Sequence, residues 1–198
     1  MKRTRTFAAC LLAPLFAPLP AAACPTAADL DTGVRVHSPD GSVETFTRLN
    51  KDVIVSEFRF EPGEGSRSLL AQGIYLIQIN DVYGDEIDTK ARTTYTYTKL
   101  PGTLPVPTPG GAWNTRVVIL DEDGLGTERQ QISFGQAGTR TIGACSYDTV
   151  PITVVYPDDD YSETLEYLPE LGLAILTSAQ DVGAEADVYS FERIEAVK

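Results

Sequence analysis

Asp31-Thr32-Gly33 is the sharpest catalytic pattern in the chain. A carboxylate in that setting, facing a second one from another copy of the chain, could share one proton and activate water. The other reading is a loop entering the first strand, with Gly33 as its turn residue, and the position only seven residues after Cys24 favours it. His37 is the sole imidazole, so any Ser-His or His-metal scheme has to use it. It lies at a strand end beside the turn Ser38-Pro39-Asp40-Gly41, no Gly-x-Ser-x-Gly elbow is present, and His37 is read as structural. Asp121-Glu122-Asp123-Gly124 starts like a calcium loop, but Leu125 and Ile132 stand where oxygen ligands are needed. The groups Asp81, Asp85, Glu86, Asp88 and Asp158-Asp159-Asp160 read as solvated hairpin tips. No metal site and no cofactor is expected. Tyr75, Tyr95, Tyr97 and Trp113 remain as candidate ligand-lining residues, against the plainer reading of cross-strand core pairs.

Two cysteines matter most. Lys2, Arg3 and Arg5 precede an apolar run, Phe7 to Phe16, and Ala21-Ala22-Ala23 offers small residues before Cys24. That is the layout of a signal peptide over 1–23, leaving a periplasmic or secreted domain over 24–198 without a transmembrane segment. Cys10 falls within the signal, so Cys24 and Cys145 are left to form a disulfide in an oxidising compartment. Acylation of Cys24 is the alternative, since Ala-Ala-Ala-Cys loosely resembles a bacterial lipobox.

Formal charge sharpens the exclusions. The chain of 198 residues carries 16 basic and 28 acidic side chains, a net of −12. The first 23 residues hold three of the basic groups and no acid, so the remainder stands at −15. Nucleic acid and anionic lipid are disfavoured, since both call for a basic face. Apolar residues at 42% and charged residues at 22% describe a globular chain with material for a core.

The elements that must position these residues are strands. Thr94-Tyr95-Thr96-Tyr97-Thr98 alternates strictly, which places both tyrosines on one face. Val34-x-Val36, Val43 to Phe46, Val53 to Phe60, Ile74 to Ile79, Thr115 to Leu120, Gln130 to Phe134 and Thr139 to Tyr147 follow as strand candidates. Ile152 to Tyr156, Glu163 to Tyr167, Leu171 to Ser178 and Val188 to Ile194 complete the set. Turn sequences rich in Gly, Pro and Asp separate them, and only Thr26 to Leu30 looks like a helical turn. The fold class expected is all-β: a single antiparallel domain of about nine to twelve short strands, a curved half-barrel or meander, with a β-sandwich as the alternative. Segment 100–111, LPGTLPVPTPGG, reads as a Pro/Gly-rich surface loop; an interdomain linker is the other reading.

Three resemblances add to this. Asp31-Thr32-Gly33 resembles the signature of aspartic proteases, which implies a hydrolase built from two copies of a short chain. Cys24-Pro25-Thr26-Ala27-Ala28-Asp29-Leu30, Ile142-Gly143-Ala144-Cys145-Ser146-Tyr147 and Tyr167-Leu168-Pro169-Glu170-Leu171-Gly172-Leu173 together resemble an uncharacterised group of exported alpha-proteobacterial proteins. That likeness implies an extracytoplasmic β domain and supports the cysteine pair, but it brings no activity. The Pro-Glu-Leu-Gly-Leu hairpin also resembles segments of curved antiparallel sheets such as lipoprotein carriers of the LolA type, at the level of fold. The function expected is non-catalytic: binding of an apolar small molecule or of a protein partner in the envelope, with a structural accessory subunit as the alternative.

Overall fold

The computed structural model describes residues 23–61 and 63–198; the expected signal segment lies outside them except for Ala23. Cys24 and Cys145 are joined as a disulfide, with Cα atoms 5.5 Å apart and 121 residues between them in sequence. A 3-10 turn, Ala27–Asp31, leads into the sheet. Thr26 and Asp29 close that turn reciprocally: the Asp29 carboxylate accepts from both the Thr26 backbone N–H and its hydroxyl.

The first strands are β1 Val34–His37, β2 Val43–Asn50, β3 Val53–Glu61, β4 Glu64–Ala71 and β5 Tyr75–Tyr83. Then come β6 Glu86–Ile87, β7 Thr93–Thr96, β8 Ala112–Asp121, β9 Gly124–Phe134 and β10 Gly138–Ile142. The last are β11 Cys145–Tyr156, β12 Tyr161–Leu168, β13 Leu173–Asp181, β14 Asp187–Val188 and β15 Arg193–Ala196. They form one antiparallel sheet in the order β14-β13-β12-β11-β9-β8-β7-β5-β4-β3-β2-β1-β15, with β10 on β11 and β6 on β5. Its two ends do not pair, so the sheet is not closed.

The class is therefore all-β, as the alternation in sequence requires, and the architecture is a single open meander rather than two separate sheets. Fifteen strands among the described residues exceed the nine to twelve expected. Three physical causes account for the excess. β4 contains Gly65, Ser66 and Ser68 and has weak strand propensity, yet both neighbours supply ladder partners. β6 is only a two-residue pairing back onto β5 after the turn at Gly84, too short to show a period; the fold-back at Gly143 (φ 59°) adds none, because the second half of 139–147 joins Ile152 to Tyr156 in β11. The run 188–194 holds only the two short pieces β14 and β15, on opposite ends of the sheet.

Two apolar clusters hold the meander in shape. One gathers Leu30, Val34, Phe46, Ile142, Leu168, Leu171, Leu173 and Ile175; the other gathers Tyr75, Leu104, Ile132, Phe134, Ile152, Tyr167 and Ala174. Alternate residues of the β12–β13 hairpin enter different clusters, so that hairpin is covered on both faces. Its turn meets the β4–β5 turn directly. The Ala174 N–H donates to the Gly73 carbonyl at 2.9 Å, and a Cβ on Gly73 (φ 66°) would run into the Gly172 carbonyl. Segment 100–111 connects β7 to its sheet neighbour β8; it contains a 3-10 turn, Pro101–Thr103, and buries Leu104 in the second cluster.

Candidate functional site

The register carries one rung of side chains across the inner face of four strands. Trp113 on β8 stands opposite Ile132 on β9, Ile132 opposite Val154 on β11, and Val154 opposite Glu163 on β12. One step toward the β11–β12 turn, Tyr156 pairs with Tyr161. The β5 and β7 side contributes Tyr75, Tyr95 and Tyr97. Between these walls lies a cleft of about 450 Å³. Ile132, Ile152, Val154 and Leu165 form its apolar part, five tyrosines line it, and Glu128, Asp159, Glu163 and Asp181 are the charged groups on its walls.

Hydrogen bonds hold the polar wall in place. The Tyr156 hydroxyl donates to one oxygen of Glu163 at 2.8 Å, and the Tyr161 hydroxyl donates to the other at 3.2 Å. The Tyr97 hydroxyl donates to the Gln130 side-chain oxygen at 3.3 Å, and the Gln130 amide donates to Glu128 at 2.7 Å. Burial raises the hydroxyl pKa of Tyr75, Tyr97, Tyr156 and Tyr161, and the neighbouring Glu163 adds to the effect at the last two. These hydroxyls therefore stay protonated and act as donors. Glu128 is also pushed up, first by burial and then by the like charges of Asp159, Glu163 and Asp158, against the Gln130 bond that lowers it.

Three of the four aromatic residues singled out in sequence reach this cleft, and the fourth stands behind it. Tyr95 and Tyr97 are half-buried on its wall; Tyr75 borders it with 3% of its surface exposed and its hydroxyl on the Pro105 carbonyl. Trp113 packs against the backs of Tyr75 and Tyr97, edge-on to the first and stacked on the second. The lysine side chain of Lys99 lies over the indole ring at 5.6 Å.

The remaining sequence candidates fall elsewhere. Asp31 is exposed and pairs with Arg48 at 2.9 Å, so its carboxylate faces a guanidinium. His37 sits on β1 between the Glu195 carboxylate at 3.0 Å and the Arg193 guanidinium at 3.1 Å. Asp121 accepts from the backbone of Asp123 and Gly124, and Asp88 from Lys90 and Ala91, so both acids close their own turns. Asp158 is chelated by Arg129 through two nitrogens. Among the described residues, no group of three or more His, Cys, Asp or Glu side chains is arranged to hold a metal ion.

A second cleft, about 490 Å³, opens between β2, β3 and the segment after β14, with Phe58, Leu176, Tyr189 and Phe191 on its walls. Glu44 points into it. Burial raises that carboxyl from 4.5 to about 7, opposed by the hydrogen bond donated by the Ser56 hydroxyl.

Tyr156, Tyr161, Glu163, Glu128 and Gln130 were not singled out by sequence reasoning. A signal for the first three was present: Tyr161, Glu163, Leu165 and Tyr167 alternate with period two, and tyrosines flank the acidic turn at both ends. Glu128 and Gln130 could have been found only by extending the strand Gln130 to Phe134 backwards through the polar stretch that begins at Gly124.

No family model matches the chain, and no curated protein matches it significantly. Among solved structures it is similar to the hypothetical lipoprotein YmcC from Escherichia coli K12, at 10% identity and a TM-score of 0.41. That match covers 81% of this chain and 87% of the other.

Proposed function

We infer that the chain is an exported, non-catalytic binding module of the bacterial envelope, whose cleft takes up the body of a small apolar or amphipathic molecule. The observation that carries this reading is the cleft of about 450 Å³ lined by five tyrosines over an aliphatic floor. Its size lies within the usual range of small-molecule pockets, and rings that present faces and fixed donors are a common wall for them. Export is supported by the basic and apolar leader in sequence and by the disulfide, which belongs to an oxidising compartment.

Titration of Trp113 emission with monomeric octyl glucoside tests the reading. A saturable change that disappears in Tyr97→Ala is the expected result, because Tyr97 stacks between the cleft and the indole. An unchanged spectrum, with no heat of binding by calorimetry, overturns it. Fractionation of expressing cells tests the address, with the mature chain expected outside the cytoplasm.

A further inference from the structure

The charges around the cleft are all of one sign. Glu128, Asp159, Glu163 and Asp181 border it, and no lysine or arginine is among its lining residues. The nearby Arg129 is held by Asp158 on the outer side of the strand. Glu163 is held by the hydroxyls of Tyr156 and Tyr161, so neutral donors satisfy its two oxygens, and among the described residues it forms no ion pair. A wall of this kind repels an anion and gains from a cation.

The same geometry separates organic cations from metal ions. Calcium needs six or more oxygens converging at about 2.4 Å. Here the acids are spread around the cleft with tyrosine rings between them, and no such cluster forms among the described residues. Tyrosine faces attract weakly hydrated cations that can shed water against a ring. Tyr156 and Tyr161 present a tilted pair with centroids 5.5 Å apart, and Tyr97 lies on the opposite wall. The floor of Ile132, Ile152 and Val154 accommodates an uncharged body.

We propose that the cleft selects organic cations: an alkylated ammonium on an apolar or aromatic body, with its charge beside Glu163 and Glu128 and against tyrosine faces. This rests on the reading of the cleft as a small-molecule site and names the chemistry of its ligand.

The test compares phenethyltrimethylammonium with its uncharged isostere, in which a tert-butyl group replaces the trimethylammonium, and with phenethyl sulfate. Binding is read by calorimetry at low ionic strength. The cation is expected to bind about tenfold or more tighter than the neutral isostere, with the sulfate weakest. Glu163→Gln and Glu128→Gln should each reduce that preference several-fold, read as the ratio of cation to isostere affinity within each variant; the second variant serves if the first fails to fold. Equal affinity for cation and isostere overturns the cation assignment and leaves the small-molecule reading standing. Absence of binding by all three probes, together with a silent octyl glucoside titration, overturns both.

Discussion

Tyr75 and Trp113 meet edge to face, with ring centroids 5.4 Å apart and planes at 87°, although β7 lies between their strands. Strands two places apart in a flat sheet are separated by roughly 10 Å. The rings meet because Tyr75 and Trp113 both lie past the last β7 pairs, Gln78 with Thr94 and Val118 with Thr96, and Tyr97 packs beside them. The Tyr75 hydroxyl reaches further and donates to the Pro105 carbonyl at 2.6 Å, which ties segment 100–111 to the same aromatic group. Tyr75→Phe is expected to cost about 1 kcal/mol for that bond. Hydrogen exchange should show faster opening of 100–111, with the core strands unchanged.

The disulfide should be complete in exported material. Intact-mass analysis after alkylation without reductant is expected to find no free thiol, and two alkylated cysteines, or a diacylglycerol mass on Cys24, would contradict it. Replacing both cysteines by serine is expected to cost on the order of 4 kcal/mol, since more than a hundred residues lie inside the loop. Urea denaturation measures this directly.

Glu44 makes stability depend on pH. Its carboxyl is raised in the folded protein to about 7 from an ordinary 4.5, so folding favours the protonated form. Its contribution is full below about pH 4.5, declines as pH rises through 7, and is absent above that. The decline is on the order of 3 kcal/mol at about 1.4 kcal/mol per unit. Glu44→Gln keeps the acceptor for Ser56 and removes the titration. Its stability should therefore fall less than the wild type between pH 5 and pH 8. Asp29, Asp40 and Asp158 have lowered pKa values, from backbone and hydroxyl donors at the first two and from Arg129 at the third. Their contributions are lost as pH falls below about 4, outside this window.

Gly73 is a backbone position with no room to change. A methyl group there meets the Gly172 carbonyl and the Leu173 backbone, at a φ of 66° that disfavours a side chain in any case. Gly73→Ala should cost on the order of 3 kcal/mol and separate the two turns. Gly84→Ala is the control: φ there is 62°, but nothing lies within 4 Å of the added atom, and a loss near 1 kcal/mol is expected.

Asp31→Asn separates the hydrolase reading from the loop reading. The exposed pair with Arg48 is worth less than about 1 kcal/mol. Stability and ligand response are both expected to stay within error of the wild type, and any loss of a proteolytic activity in this variant would argue the reverse.

Alternation made most strands readable, because a half-buried strand must place every second side chain toward the core. β7, and the shared face of Tyr95 and Tyr97, followed directly from Thr94 to Thr98. The pairing of Cys24 with Cys145 followed from compartment and parity. What could not be read was the pairing of distant strands. Nothing in Glu64 to Ala71 indicates a central strand until β3 and β5 lie on either side of it. Trp113 looked like a wall residue from its composition alone. Only the packing of Tyr97 against its ring, which the linear pattern does not show, sets it behind the wall. Glu163 lay in a period-two pattern, but its role depends on two hydroxyls brought together by the β11–β12 turn.

The tie at Cys24 also fixes how the molecule bears load. Tension applied at Cys24 passes through the sulfur bridge to Cys145, at the start of twelve-residue β11, whose first five residues pair with β10 and whose later ones lie between β9 and β12. The Tyr147 hydroxyl on the Pro25 carbonyl and the Ala27 N–H on the Glu170 carbonyl share that path. With the bridge intact, the pull arrives at the β10–β11 hairpin and is carried along β11 to its ladders with β9 and β12. With the bridge reduced, it falls on the 3-10 turn and then on four-residue β1, which is held only by its short ladders to β2 and β15. The redox state of one bond thus decides whether a load at the start of the domain is shared with β11 or borne by the 3-10 turn and β1 alone.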